Sequence, residues 1–167
     1  GAPAANVLSQ LQINDGGWGM AASNAFNNVP RVDVNGDGYL NLFNTKTATI
    51  NLFLNNGGEI RTGGSGTSSI NGTITLTGSG NQIAPNATNS LTVNSDISGT
   101  GGLDMVGVGE GTLTGSNTYT GDTTVSSGVL VLNSAATAVA GNLNVGADGT
   151  VQLGASDQIA DTSTVDI

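Results

Sequence analysis

The sequence predicts an all-β protein, a parallel β-helix (β-solenoid) with a less regular N-terminal cap region. Three observations point there. Gly 27, Thr 21, Asn 20 and Ser 15 make up half of the 167 residues, a vocabulary of strands and turns with few strong helix formers. From about Thr47 onward, apolar residues alternate with Thr, Asn or Gly in runs of three to six, the period of a strand buried on one side. These runs return roughly every 8–20 residues with turn residues between them, which is repeat spacing. A two-layer sandwich asks for longer strands and bulkier core residues. A solenoid accepts short strands, because each coil stacks on the next at about 4.8 Å and fills its centre with aliphatic columns.

Taken in order, the opening Gly1-Ala2-Pro3-Ala4-Ala5-Asn6 has no basic start or apolar stretch and reads as a mature end left after processing. Ala4 to Leu11 and Ser134 to Ala140 have the composition for two helical turns each, too short to stand alone. Residues 1–45 form the expected N-terminal cap or docking region, because Trp18, Met20, Phe26, Leu40 and Phe43 concentrate bulk there. Residues 46–167 are the expected solenoid repeats. Their strand runs are 49–54, 58–60, 72–76, 91–93, 103–105, 111–113, 123–125, 128–132, 143–145, 149–153 and 165–167. At about 20–25 residues per coil this gives roughly five or six coils, a rod of about 25–30 Å.

Composition removes several functions. Cysteine and histidine are both absent, so there is no disulfide framework, no thiolate or imidazole zinc site and no Ser-His-Asp or Cys-His catalysis. A formal charge of -9, with only Arg31, Lys46 and Arg61 positive, argues against nucleic acid and anionic membranes as partners. No apolar run is long enough for a spanning helix, and aromatics at 4% are too few for the girdles of a membrane barrel, so no direct membrane insertion is expected. Low charge, absent thiols and abundant Asn, Thr and Ser suit a secreted protein, extracellular or on a bacterial cell surface.

The sharpest local motif is Asp33-Val34-Asn35-Gly36-Asp37-Gly38-Tyr39. It has the Asp-x-Asn-x-Asp-Gly spacing of a calcium loop, with side-chain oxygens from Asp33, Asn35 and Asp37, a turn at Gly38 and the Tyr39 carbonyl. The twelfth position is Asn44, not an acid. The competing reading is a tight turn between two strands, since Asn-Gly and Asp-Gly are strong turn pairs. Calcium is the one cofactor this sequence suggests. Asp157 and Asp161 are four apart and Asp104 and Glu110 six apart, and nothing marks either pair as a glycosidase pair. Arg31, Lys46 and Arg61 near the calcium-like loop carry the only case for a calcium-dependent polysaccharide lyase. The glycines at 107, 109 and 111 lack a lysine and a helix, so they read as a corner.

The segment Gly111-Thr112-Leu113-Thr114-Gly115-Ser116-Asn117-Thr118-Tyr119-Thr120-Gly121-Asp122-Thr123-Thr124-Val125-Ser126-Ser127-Gly128-Val129-Leu130 resembles the autotransporter-associated β-strand repeat, also called the passenger-associated transport repeat. Residues 99–103 and 153–161 suit the same family, and the resemblance covers about residues 90–167. It implies a parallel β-helix in a secreted or surface-displayed bacterial protein without catalytic residues. Members carry a C-terminal membrane barrel, so the expectation is either a piece of a longer passenger or a passenger-like protein that works without one.

The leading functional expectation is therefore not an enzyme but a structural solenoid, a stalk or adhesin segment. Trp18 at one end and the strand-like Val165 and Ile167 at the other are the expected assembly surfaces, and a head-to-tail contact between copies grows a filament. The alternative is a module binding glycans or a host surface, with Trp18 or Tyr119 stacking on sugars.

Overall fold

The computed structural model describes residues 8–26 and 28–167. Among them there is no helix. Thirteen strands form one sheet, every pairing parallel, wound into about seven stacked turns. In chain order these are β1 (Leu11–Met20), β2 (Val32–Phe43), β3 (Thr47–Asn55), β4 (Glu59–Gly63), β5 (Gly66–Thr77), β6 (Asn81–Ala84) and β7 (Asn89–Val93). They continue as β8 (Asp96–Gly99), β9 (Leu103–Met105), β10 (Glu110–Leu113), β11 (Thr123–Leu132), β12 (Leu143–Leu153) and β13 (Val165–Asp166).

The pairings sort into three faces. The first stacks the start of β1 on β2, then β3, the end of β5 and β8. The second stacks the end of β1 on β2, then β4, β6, β9, β11, β12 and β13. The third stacks β3, the start of β5, β7, β10, β11 and β12. One turn takes between 19 residues (Glu110 to Val129) and 23 (Glu59 to Gln82). At about 4.8 Å per rung, seven turns make a rod of about 34 Å.

Alternation explains why these residues build it. Along β3, Ala48, Ile50, Leu52 and Leu54 are buried while Thr49 and Asn51 face water. Register then lines the inward residues into columns. On the second face Leu40, Ile60, Ile83, Met105 and Val125 lie one above the next, all at most 1% exposed. Each such side chain contributes about 1.5–3 kcal/mol of burial, an upper bound, because the unfolded chain already hides some apolar surface. The long strands cross a corner, and there glycine is required. Gly72 bends β5 at φ +104, and a Cβ added there would fall on the Ile50 carbonyl of the coil beneath. Asn44 and Asn56 turn two other corners in the left-handed region, which asparagine tolerates.

Three sequence expectations change. There are about seven turns rather than five or six, because the ladder begins at Leu11 and not near residue 46. Within the 1–45 stretch expected as a cap, β1 and β2 share the sheet. The 134–140 stretch is not helical. The Ala138 N–H donates to the Gln158 carbonyl at 2.9 Å and Val139 bridges to Ile159, so rung bonds win over two marginal helical turns. Of the other helical expectation, residues 4–7 lie outside the described residues, as does the opening 1–6 read as a processed end, and Leu11 starts β1.

Beyond β8 the first face keeps rung-to-rung bonds but loses regular strands. The Thr118 N–H donates to the Ile97 carbonyl at 2.8 Å and the Thr120 N–H to the Gly99 carbonyl at 3.0 Å.

Candidate functional site

The calcium-like motif lies inside β2, where the strand passes from the first face to the second. Asp33 and Asn35 both face outward at alternate positions of an extended strand, and Gly36 (φ +54) makes the bend before Asp37. The Asp33 carboxylate is already engaged. Arg31 Nε and Nη2 donate to its two oxygens at 2.7 and 2.6 Å, and Gln10 Nε2 adds a bond at 2.6 Å. Those hydrogen bonds from Arg31 hold the Asp33 carboxyl below the ordinary carboxylate range, against the opposing effect of burial. Asn35 donates to Asn14 at 2.8 Å and accepts from Asn55 at 2.7 Å, and Thr77 extends the ladder by donating to Asn55. Asp37 is exposed, and Tyr39 lies under the Arg61 guanidinium, 3.9 Å from its ring centre. The four residues of the motif therefore lie along one continuous strand that bends at a corner. No group of three or more carboxylates suited to a metal occurs among the described residues.

Arg31 also covers the Phe53 ring at 3.7 Å, and Arg61 pairs with Glu59 at 2.5 Å. Two of the three cations proposed for a lyase are thus tied to neighbouring side chains by charge and by ring stacking. Of the acid pairs, Asp104 lies on the second face and Glu110 on the third, while Asp157 and Asp161 are both exposed. Burial pushes the Asp104 carboxyl upward, opposed by a hydrogen bond from Thr124.

Trp18 and the last rungs occupy the two ends of the stack. Trp18 sits in the inward column, paired with Leu40, yet stays 50% exposed because it belongs to the first described rung. Its ring leans on Phe26 with centroids 6.3 Å apart, covering the end of the core. At the other end Leu153 continues the column of Leu132 but is 63% exposed, with Val165 at 50% and Ile167 at 95%.

Tyr119 is the clearest correction to the glycan expectation. It is fully buried, its hydroxyl 2.5 Å from Thr123 Oγ1, so it offers no ring to a sugar. Burial raises its phenol to about 12, opposed by the Thr123 bond. Sequence reasoning also missed Asn117 and Gln158. Asn117 Oδ1 accepts the Ile97 N–H at 3.0 Å while its Nδ2 donates to the Ala138 carbonyl at 2.6 Å, one buried amide joining three successive coils. Gln158 accepts from Ser134 N at 2.6 Å and donates to the carbonyls of Ser134, Ala136 and Ser156. The available signal was phase: Asn117 lies two residues before the buried Tyr119, on the same side of the chain, a position where an amide must be fully bonded.

No family model, no curated protein and no solved structure matches this chain.

Proposed function

We propose that the chain is a non-catalytic structural segment of an extracellular bacterial surface, a β-solenoid stalk or adhesin segment that joins copies head to tail into filaments. One observation carries the reading. The first rung and the last rungs share the second face: the inward column that opens with Trp18 below Leu40 runs on through Ile60, Ile83, Met105 and Val125 to Val145, and Val165 lies above Leu143 on that same face. A parallel rung offers its free edge to another rung of equal period, and the columns of two copies then become continuous. Such a contact is heterologous and does not close, so it propagates along the axis. The sequence resemblance over residues 90–167 and the secreted composition support the surface setting. The scattered acids and the engaged Arg31 and Arg61 support the absence of catalysis.

Negative-stain electron microscopy and sedimentation of the purified protein at neutral pH test it. Rods that lengthen with concentration in steps of about 34 Å are expected. Uniform single rods at every concentration would overturn the assembly, and Trp18→Asp should shorten the filaments without unfolding the coil.

A further inference from the structure

A groove of about 460 Å³ runs along the third face, away from both ends of the stack. Its floor is one outward row: Thr67 of β5, Ser90 of β7, Glu110 of β10 and Val129 of β11 stand directly one above another. Thr88 and Val108, on adjoining corners, line it beside that row, and Val108 is 66% exposed. The Thr67 and Ser90 hydroxyls lie 2.7 Å apart, so one donates to the other and the second keeps its O–H for an outside acceptor. Thr88 Oγ1 donates to the Gly64 carbonyl at 2.8 Å, which leaves its lone pairs free to accept. Glu110 supplies two further acceptor oxygens.

We propose that this groove binds one neutral hexose residue of a glycan. The row of hydroxyl, hydroxyl and carboxylate repeats at about 4.8 Å, and an exposed valine borders it. A pyranose matches that pattern, with hydroxyls around its edge and C–H groups on its face. A carboxylate accepts from two neighbouring hydroxyls in charge-assisted bonds, and Val108 packs on the ring face. Other ligand classes fit worse. An anion meets Glu110 with no cation to offset it, since Arg31, Lys46 and Arg61 are not among the groove residues. A wholly apolar ligand strips water from three hydroxyls and a carboxylate and returns no hydrogen bond. The proposal does not depend on filament assembly, because the groove lies along the side of the rod.

An open site with few ordered contacts binds weakly, with a Kd of about a millimolar. The test is titration of the whole isotope-labelled chain with methyl glucoside, methyl galactoside, methyl mannoside, N-acetylglucosamine and glucuronate, followed by amide chemical shifts. The expected result is saturable shifts confined to Ser90, Val108, Glu110 and their neighbours for at least one neutral sugar and none for glucuronate. Glu110→Gln, an exposed change, should weaken that binding about tenfold while the remaining spectrum stays in place. Absence of groove shifts with every sugar, equal binding of glucuronate, or undiminished binding by Glu110→Gln would overturn the proposal.

Discussion

The two halves of the rod secure the same coil in opposite ways. In the N-terminal half the polar bonding runs along the outside. Asn14, Asn35, Asn55 and Thr77 bond one to the next, and Arg31 and Arg61 each hold a carboxylate and an aromatic ring. Inside, its first turns carry an aliphatic column of Val32, Leu52 and Ile74, fully or almost fully buried, and buried amides enter near mid-rod, at Asn81 and Asn89. In the C-terminal half the first face loses its strands, and Asn117 and Gln158 carry bonds inside the coil instead. Water replaces an outside bond when it is lost. It cannot reach an inside one, so the same residue type matters far more where it is buried, as at Asn117 and Gln158.

The largest expected effect separates the middle of the rod from its end. Leu52→Ala removes a side chain enclosed by the coils on either side and should cost about 2–5 kcal/mol, lowering the melting temperature by roughly 5–15 °C. Leu153→Ala, in an exposed end position, should stay within about 0.5 kcal/mol. Calorimetry on both variants checks this, and equal losses would erase the distinction between a covered coil and an open one.

The next effect compares asparagines. Asn117→Ala leaves the Ile97 N–H and the Ala138 carbonyl unpaired in a buried place, at about 2–4 kcal/mol. Asn35→Ala breaks two bonds at the surface and should cost under about 1 kcal/mol. Denaturant titration measures both, and a reversed order would contradict the inside–outside contrast.

The halves should also separate by pH. Asp33 has a lowered pKa in the folded chain, so its contribution is present above the ordinary carboxylate range and lost as pH falls through the folded value. Tyr119 has a raised one, so its contribution is present below about 10 and lost as pH rises toward about 12. Melting temperature against pH should flatten on the acid side in Asp33→Asn and on the alkaline side in Tyr119→Phe. The smallest effect is none at all: calcium or a chelator should leave the melting temperature unchanged, because the Asp33 oxygens are already held by Arg31 and Gln10.

The repeat body was legible because inward and outward residues alternate without a break in stretches such as 49–54, and that phase alone separates core from surface. The first two rungs were not. In β1 the register shifts between Ile13 and Asp15, which breaks the alternation between Ile13 and Trp18. The calcium-like spacing was ambiguous because a strand bending round a corner asks for the same Asn, Asp and Gly as a loop around an ion. Arg31, two residues before Asp33 and so on the same side of a strand, was the signal that the carboxylate had a partner. Asn117 and Tyr119 were hidden because Asn and Tyr within a Gly, Ser and Thr context look like a solvent-facing turn.

The claim beneath all of this is that adjacent coils lie in parallel register one rung apart. Since the chain has no cysteine, paired thiols can be placed freely. Thr92 pairs with Thr112 across one rung, whereas Ser69 and Thr112 lie two rungs apart, about 9–10 Å. A thiol crosslinker that spans one rung but not two should join Thr92→Cys to Thr112→Cys quantitatively within one folded molecule and leave Ser69→Cys with Thr112→Cys unjoined. Equal crosslinking of both pairs, or of neither, would contradict the stacked coil and every column drawn from it.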